Sequence, residues 1–177
     1  MRSDLRIATP EVTLRPFSLG DAEKMFRMSQ EADFQKWIPS QVYRDLAHAE
    51  KVVAHLILEF QKSDHPRTHP IVFGVERPEA GDLIGHVGLS SFRDGVEIGF
   101  AIEDAQTRKG YASAAVTAMC TWAAREFSLN QIFGYVAREN EPSKRVLLRS
   151  GFRRVREEVM LFQGSVEPVV IFEWNSI

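Results

Sequence analysis

A short loop with one glycine, between a strand pattern and a long helix pattern, constrains the fold of this chain most. It has the sequence TRKGYA at residues 107–112. Gly110 has no Cβ and permits a tight turn, and the first N–H groups of the following helix have no partner within it. Because these groups carry partial positive charge, the loop is typical of a pyrophosphate-binding site. An ordinary strand-to-helix turn with solvated charges is the alternative.

The predicted phosphate site combines backbone and side-chain groups. Arg108 and Lys109 add two cations at the turn. We expect the site to comprise Arg108, Lys109, Gly110, Tyr111, Ala112 and Ser113. The loop lacks the Gly-Lys-Ser/Thr run of a P-loop and the GxGxxG sequence of a dinucleotide fold. A nucleotide-phosphate binder of unrelated fold is therefore the least favoured alternative.

Strand and helix patterns are mixed along the chain. The predicted strands are 12–16, 71–75, 83–89, 96–102 and 131–136, with a final hairpin of 152–162 and 166–174. The predicted helices are 21–28, 45–60, 111–127 and 142–149. The Asp94-Gly95 turn indicates a hairpin, and hairpin-connected strands beside helices favour an α+β (mixed α/β) fold with a central, mostly antiparallel sheet. With 177 residues and no repeat or linker, we expect one domain over residues 1–177.

Composition excludes several classes of protein. The net charge is −2 at pH 7, which does not favour a nucleic-acid or membrane surface. No apolar run approaches the length of a membrane span, and no signal-peptide pattern is present, so we expect a cytoplasmic protein. The single cysteine, Cys120, cannot form an internal disulfide and is expected to be a buried apolar residue. The histidines lack the cysteine or carboxylate partners of a metal set, so no metal site is predicted.

The order of motifs along the chain resembles a known family. The strand at 96–102, the TRKGYA loop, the long helix, the strand at 131–136, the sequence NEPS at 140–143 and LLRSGF at 147–152 follow one another. This order is similar to the acetyl-CoA-binding core of the GNAT superfamily of N-acetyltransferases. Ser143 and the opening sequence LRPF at 14–17, followed by Asp21-Ala22, resemble its ribosomal-protein N-terminal acetyltransferase branch.

The close resemblance covers residues 94–152, and a weaker one covers residues 12–30. It implies a sheet of six to seven strands in which strands 96–102 and 131–136 splay apart. The pantetheine arm of acetyl-CoA would fill the gap, beside Phe100, Ala101 and Ile102. The chain departs from the family pattern at Thr107, where arginine or glutamine is usual, and at Arg108, where glycine is common. Arg108 could replace the lost contact.

Acyl transfer from a thioester to an amine needs a group that takes the amine proton, and donors for the developing oxyanion. Glu97 is the candidate base, because a strand glutamate that points into an apolar cleft should have a raised pKa. The resemblance also places a glutamate of this strand near the acceptor amine. A solvated outer-face residue is the alternative. His86 is the second candidate base, since histidine titrates near neutrality, although a packed core position is favoured.

Asn140 and Ser143 lie at the start of a predicted helix. Asparagine is a preferred N-cap, and Pro142 suits the first turn, which gives a purely structural interpretation. The functional interpretation is that both face the pantetheine and thiol, so Glu97, Asn140 and Ser143 are the candidate catalytic residues. Many family members have a thiol-protonating tyrosine where this chain has Leu147. The resemblance implies that Ser143 could bond to, or protonate, the departing sulfur.

The resemblance therefore predicts an acetyl-CoA-dependent N-acetyltransferase in which the amine attacks the thioester directly. A protein N-terminal α-amine is the favoured acceptor, because its reference pKa of about 8 makes it easier to deprotonate than a lysine near 10.4. A small amine, such as a polyamine or an aminoglycoside-like compound, is the close alternative. A non-catalytic acyl-CoA-binding sensor domain is a further one.

Three sets of residues have two interpretations each. Trp37, Ile38, Pro39 and Tyr43 fall where the family builds its acceptor side, although core packing is favoured for such side chains. The arginines are either a solvated face or a rim that attracts cofactor phosphates: Arg145, Arg149, Arg153, Arg154 and Arg156. The final hairpin is either core or an interface with a second copy in a homodimer, through Val169, Val170, Ile171, Phe172 and Trp174.

Overall fold

The computed structural model describes residues 4–176, which contain one eight-stranded sheet. Its strands are β1 Ile7–Ala8, β2 Thr13–Arg15, β3 Ile71–Glu76, β4 Leu83–Phe92, β5 Gly95–Ile102, β6 Gln131–Ala137, β7 Arg153–Phe162 and β8 Ser165–Asn175. They lie in the order β1-β2-β3-β4-β5-β6-β8-β7. Every neighbouring pair is antiparallel except β5 and β6, which are parallel. The predicted mixed fold is confirmed, with an additional edge strand, β1, that the sequence pattern did not indicate.

Five α-helices accompany the sheet in the described part of the chain. They are α1 Ala22–Ser29, α2 Ala32–Trp37, α3 Leu46–Lys62, α4 Tyr111–Phe127 and α5 Glu141–Arg149. The helix α3 begins where Asp45 accepts a hydrogen bond from the backbone N–H of His48 at 2.7 Å, as an N-cap does. The helix α2 was not predicted, because six residues are too few to show a helical period.

The two faces of the sheet bury different side chains. On one face, Phe73, Val87 and Ile98 join the main core with Met119 of α4. On the other, Val72 packs against a smaller core formed largely by α1 and α3. Neighbouring strand residues point to opposite faces, so the alternation of Val72 and Phe73 separates the two cores. The sheet surface that faces α1 and α3 also carries Glu97 of β5, whose neighbour Ile98 points into the main core.

Cys120 of α4 is fully buried in the main core. Burial raises the pKa of its thiol, which disfavours the reactive thiolate. The expectation that Cys120 is a buried apolar residue is confirmed.

The strands β5 and β6 diverge along their length. The antiparallel pair β4 and β5 is in register from Phe92–Gly95 to Gly85–Ile102, whereas β5 and β6 are in register at one position, Glu97–Phe133. The second half of β5 therefore has no strand partner on the β6 side. This is the splay that the resemblance predicted.

The final hairpin, β7 and β8, contributes to the core at one end and is exposed at the other. Val169, Val170, Ile171 and Phe172 are at most 2% exposed, which confirms their interpretation as core residues. Towards the turn, the side chains of Val159, Leu161 and Val166 are exposed. Within residues 4–176, no helix has both the length and the apolarity to cross a membrane.

Candidate active site

The predicted phosphate loop adopts a left-handed turn directly before α4. Gly110 is the N-cap of α4 with φ of 88°, and Arg108 has φ of 63°. A non-glycine residue in this region costs roughly 1–2 kcal/mol. The conformation of Arg108 is thus one that glycine adopts freely, which gives a physical reason for glycine at this position in the resembling family.

A groove of about 610 Å³ lies between this loop, the end of β5 and the helix α5. Its lining includes all but one of the predicted cofactor-binding residues: Phe100, Ala101, Ile102, Arg108, Gly110, Tyr111, Ala112, Ser113, Asn140 and Ser143. Lys109 is the exception. Its Nζ donates hydrogen bonds to the backbone oxygen of Ala105 at 3.0 Å and to Oε1 of Gln106 at 2.8 Å. Lys109 thus holds the loop together from outside the groove.

The dense arginines divide into two groups. Arg145 and Arg149 of α5 line the groove, beside the N-terminus of α4. The other three form ion pairs on the hairpin face: Arg153 with Glu173, Arg154 with Glu157 and Arg156 with Glu158. The phosphate-rim interpretation thus fits the first two arginines, and the solvated-face interpretation fits the other three.

The short helix α2 forms one wall of the groove, through Asp33, Phe34 and Trp37. The preceding segment is attached to the loop in front of α4 by two contacts. Lys24 forms an ion pair with Glu103, and Glu31 accepts a hydrogen bond from the backbone N–H of Asp104 at 2.9 Å. No local sequence pattern indicated this wall, because the segment around α2 and the loop before α4 are far apart in the chain.

A second cleft, of about 380 Å³, adjoins the groove on the α1 and α3 side of the sheet. The two share five lining residues: Trp37, Ile38, Phe100, Asn140 and Ser143. Of the predicted acceptor-side residues, Tyr43 also lines this cleft, whereas Pro39 is not among the lining residues. We refer to the second cavity as the acceptor cleft and to the first as the cofactor groove.

Glu97 lies on the floor of the acceptor cleft, opposite Ser90 of β4. The Ser90 hydroxyl donates a hydrogen bond to Oε1 of Glu97 at 3.3 Å. Burial raises the pKa of Glu97, and the Ser90 hydrogen bond opposes this in part by stabilising the charged form. A half-buried carboxyl in a cleft does not fit the alternative of a solvated outer-face residue, and a raised pKa suits proton transfer.

His86 is a packed residue of β4. Its ring makes an edge contact with Phe34 at 6.1 Å between centroids, and it is 6% exposed. Burial lowers the pKa of His86 to about 4, so the ring is neutral at physiological pH. Among the described residues, its Nδ1 is the one buried side-chain polar atom without a hydrogen-bond partner. Its packing against Phe34 and its lowered pKa favour the core interpretation over the proton-taking one.

Asn140 and Ser143 lie where the two cavities meet. Oδ1 of Asn140 accepts a hydrogen bond from the backbone N–H of Ser143 at 3.1 Å, so Asn140 is the N-cap of α5. Leu147 is fully buried and touches β6 so closely that a Cβ on Gly134 would lie 2.5 Å from it. Leu147 therefore belongs to the core, and Ser143 supplies a hydroxyl-bearing side chain to both cavities.

Tyr135 of β6 is not among the predicted site residues, yet it also lines the acceptor cleft. Its ring contacts Phe92 at 4.6 Å between centroids, and burial raises the pKa of its phenol. The turn of the final hairpin closes the same cleft through Phe162 and Gln163. Ser40, which lines the cleft as well, donates a hydrogen bond to Oε1 of Gln163 at 2.6 Å. Residues two apart on a strand share a face, so the aromatic pair Phe133 and Tyr135 was a usable sequence signal for Tyr135. The Ser40–Gln163 contact had no such signal, because the two residues are 123 positions apart in the chain.

A family model described as the acetyltransferase (GNAT) domain matches residues 11–153. The chain belongs to the GNAT acetyltransferase family. It is an acyltransferase of the N-acetyltransferase class, and the sequence resemblance is confirmed. The cofactor groove and the acceptor cleft lie mainly within the matched region.

Three relatives illustrate the match. An uncharacterized N-acetyltransferase of Bacillus subtilis (strain 168), YnaD, is 26% identical over 152 residues, which are 85% of this chain and 84% of YnaD. The structure of RimL, a ribosomal alpha-N-protein acetyltransferase in complex with coenzyme A, is 15% identical with a TM-score of 0.82, over 97% of this chain and 98% of RimL. A ribosomal-protein alanine acetyltransferase from Vibrio fischeri is 18% identical with a TM-score of 0.77, over 97% of both chains. The two structures share the fold of this enzyme.

Proposed function

We propose that this enzyme transfers the acetyl group of acetyl-CoA to a protein N-terminal α-amine. One observation carries the proposal: two cavities of opposite electrostatic character meet at Phe100, Asn140 and Ser143. The cofactor groove offers a helix N-terminus and arginines, which suit an anionic cofactor. The acceptor cleft offers the carboxylate of Glu97, which suits a cationic amine.

The cofactor groove fits acetyl-CoA in two respects. Gly110 begins α4 at the groove, with Arg108, Arg145 and Arg149 along the lining, so phosphates would meet backbone N–H groups and cations together. The second half of β5, which contains Phe100, has no strand partner towards β6, so an extended pantetheine arm could bond to its backbone. Acetyl-CoA is the co-substrate in this proposal.

The reaction requires few groups. The amine nitrogen attacks the thioester carbonyl carbon, an N–C bond forms, the C–S bond breaks, and coenzyme A leaves with its sulfur. Glu97 accepts the proton that the nitrogen loses, directly or through water. In this proposal, Ser143 donates a hydrogen bond to the departing sulfur. No cysteine or serine nucleophile is involved, in keeping with the burial of Cys120.

The acceptor assignment is supported by chemistry and by the relatives. An α-amine has a reference pKa of about 8, so more of it is neutral at physiological pH than of a lysine near 10.4. Glu97 is then needed only to remove a proton during attack. Two structural relatives are described as ribosomal-protein acetyltransferases, one of them acting on an alpha-N position. A small-amine acceptor is the second candidate.

Release of the coenzyme A thiol from acetyl-CoA tests the proposal. The acceptors are peptides with alanine, serine or methionine first, spermidine, an aminoglycoside, and the same peptides with a blocked N-terminus. We expect release with free N-termini and none above background with blocked ones. Equal release with blocked peptides that contain lysine would contradict the α-amine assignment. Release only with spermidine or the aminoglycoside would favour the second candidate.

A further inference from the structure

The floor of the acceptor cleft contains a stretch of bare backbone beside Glu97. Gly88 of β4 lies directly opposite Gly99 of β5, next to the Ser90–Glu97 pair. Directly opposed residues on antiparallel strands share a face, and every second residue returns to it. Gly88, Gly99, Ser90 and Glu97 therefore face the cleft together, and all four line it. Gly99 leaves a hollow in the floor, one residue pair along the strands from the candidate base.

The two opposed glycines have different surroundings. A Cβ on Gly88 would lie 2.9 Å from Cγ2 of Val72 and 3.1 Å from the backbone oxygen of Ile71, so packing excludes a side chain there. A Cβ on Gly99 would meet no atom of residues 4–176 within 4 Å, and the φ of Gly99 is not in the left-handed region. Neither conformation nor packing of the described residues requires glycine at position 99. What glycine provides there is empty volume in the cleft.

The charges of the cleft restrict what can fill this volume. Among the described residues that line it, Glu97 is the one carboxylate, and none is a lysine, arginine or aspartate. The neighbouring wall of the cleft is apolar. It consists of three half-buried side chains that line the cleft: Val52, Leu56 and Val72. His86 adds no charge, because burial keeps its pKa low.

Each of these features disfavours a class of acceptor. A polyamine or aminoglycoside brings further ammonium groups, which would lose water inside the cleft with no carboxylate to pair with. A free amino acid brings a carboxylate, which would find no lysine or arginine among the described residues that line the cleft. An apolar side chain beside a single reacting amine would bury apolar surface against the cleft wall and cost no charge desolvation.

We propose that the acceptor cleft selects peptides whose first residue carries an uncharged apolar side chain, seated in the hollow over Gly99. Methionine or leucine at the N-terminus fits this description. Gly99 is then a specificity-determining residue, and its replacement narrows the range of acceptors. The proposal rests on the proposed N-terminal acetyl transfer and names the acceptor of that site more narrowly.

The first test compares acceptors on the wild-type enzyme by thiol release. The probes are five peptides that differ only in their first residue, which is methionine, leucine, glycine, aspartate or lysine. Free methionine, methioninamide and spermidine are tested beside them. We expect kcat/KM to be at least about tenfold higher for methionine or leucine than for aspartate or lysine, since a side chain that fits an apolar pocket is worth one to two orders of magnitude. Methioninamide should exceed free methionine by a similar factor.

The second test changes the hollow. Gly99→Val should lower kcat/KM for the methionine and leucine peptides about tenfold or more, with a smaller loss for the glycine peptide. Gly99→Ala should give an intermediate effect. The dissociation constant of acetyl-CoA and the melting temperature should stay close to wild type, because Gly99 lines the acceptor cleft and not the cofactor groove. Gly20→Ala is the matched control, since its Cβ would make an ordinary 3.7 Å contact with Ser18.

The outcomes separate this proposal from the one on which it rests. No thiol release with any amine, despite acetyl-CoA binding, would contradict the proposed function itself. Release that is best with spermidine, free methionine or the aspartate peptide would leave acetyl transfer intact and overturn the selection proposed here. Equal losses for all peptides in Gly99→Val, or no loss for the methionine peptide, would overturn the assignment of Gly99.

Discussion

The cofactor groove and the acceptor cleft share five residues but are built in different ways. The groove draws the backbone N–H groups of its phosphate-binding part from one continuous segment around Gly110 and α4, and α5 adds Arg145 and Arg149. The acceptor cleft takes its lining from α1, α2, α3, α5, five strands and the turn of the final hairpin. A ligand held by backbone groups of one segment can keep its site while the chain varies elsewhere. The acceptor site, built from scattered side chains, can change without disturbing the groove.

The largest expected effect separates the two regions at Glu97. Glu97→Gln should lower kcat by about a hundredfold or more, the range in which general base catalysis contributes. The dissociation constant of acetyl-CoA should not change, because Glu97 lines the acceptor cleft and not the cofactor groove. Initial-rate kinetics measure kcat, and calorimetric titration measures the dissociation constant of acetyl-CoA. An unchanged kcat across the pH range would show that Glu97 is not the base.

The next effect concerns the cofactor groove. The double variant Arg145→Gln with Arg149→Gln should raise the dissociation constant of acetyl-CoA by about tenfold, since each charge-assisted contact is worth about 1.5–3 kcal/mol when made and less when exposed. Titration at two salt concentrations checks the electrostatic origin. Arg154→Gln is the control, because Arg154 pairs with Glu157 outside the groove. An equal loss in the control would contradict the division of the arginines.

A smaller effect is expected at the junction of the two regions. Ser143→Ala should reduce kcat by about tenfold or less, because a serine hydroxyl contributes a hydrogen bond rather than a strong acid. The helix α5 should keep its cap, since Asn140 bonds to the backbone N–H of residue 143 and not to the hydroxyl. Kinetics beside a thermal melt distinguish the roles. A lowered melting temperature with unchanged kcat would assign Ser143 to stability alone.

The smallest effect is on stability and follows from the raised pKa of Glu97. A carboxyl whose folded pKa exceeds its unfolded pKa contributes stability below the unfolded value and loses it as the pH rises through the folded value. Glu97→Gln should therefore melt slightly higher than the wild type at pH 7. The difference should disappear at a pH below the unfolded value of about 4.3. A lower melting temperature of Glu97→Gln at pH 7 would contradict the claim that burial of this charge destabilises the folded protein.

The same contrast explains how much could be predicted from the sequence. The loop at Gly110 and the cap at Asn140 depend on neighbours within a few residues, so their placement was readable. The floor at Glu97 and Ser90 depends on the register of β4 and β5, which a hairpin turn nearly fixes. The helix α2 and the Ser40–Gln163 contact depend on distant segments that meet only after folding, so no local sequence pattern indicated them.

Two residues of the phosphate loop differ from what their residue types suggested, for local reasons. Arg108 takes a left-handed conformation, which its residue type did not suggest. Lys109 turns away from the groove to bond with Gln106, which depends on the loop geometry rather than on its sequence. Both residues carry positive charge beside Gly110, yet only Arg108 lines the groove. Residue type at a motif position therefore indicated the site, and the backbone decided which side chain lines it.

The most direct test of the account is to locate the acetyl group on a product. A peptide with a free methionine N-terminus and one internal lysine is incubated with acetyl-CoA and the enzyme, and the product is fragmented in a mass spectrometer. The account predicts acetylation of the α-nitrogen alone, reduced about a hundredfold in Glu97→Gln. Acetylation of the lysine, or equal α-acetylation by the variant, would contradict it.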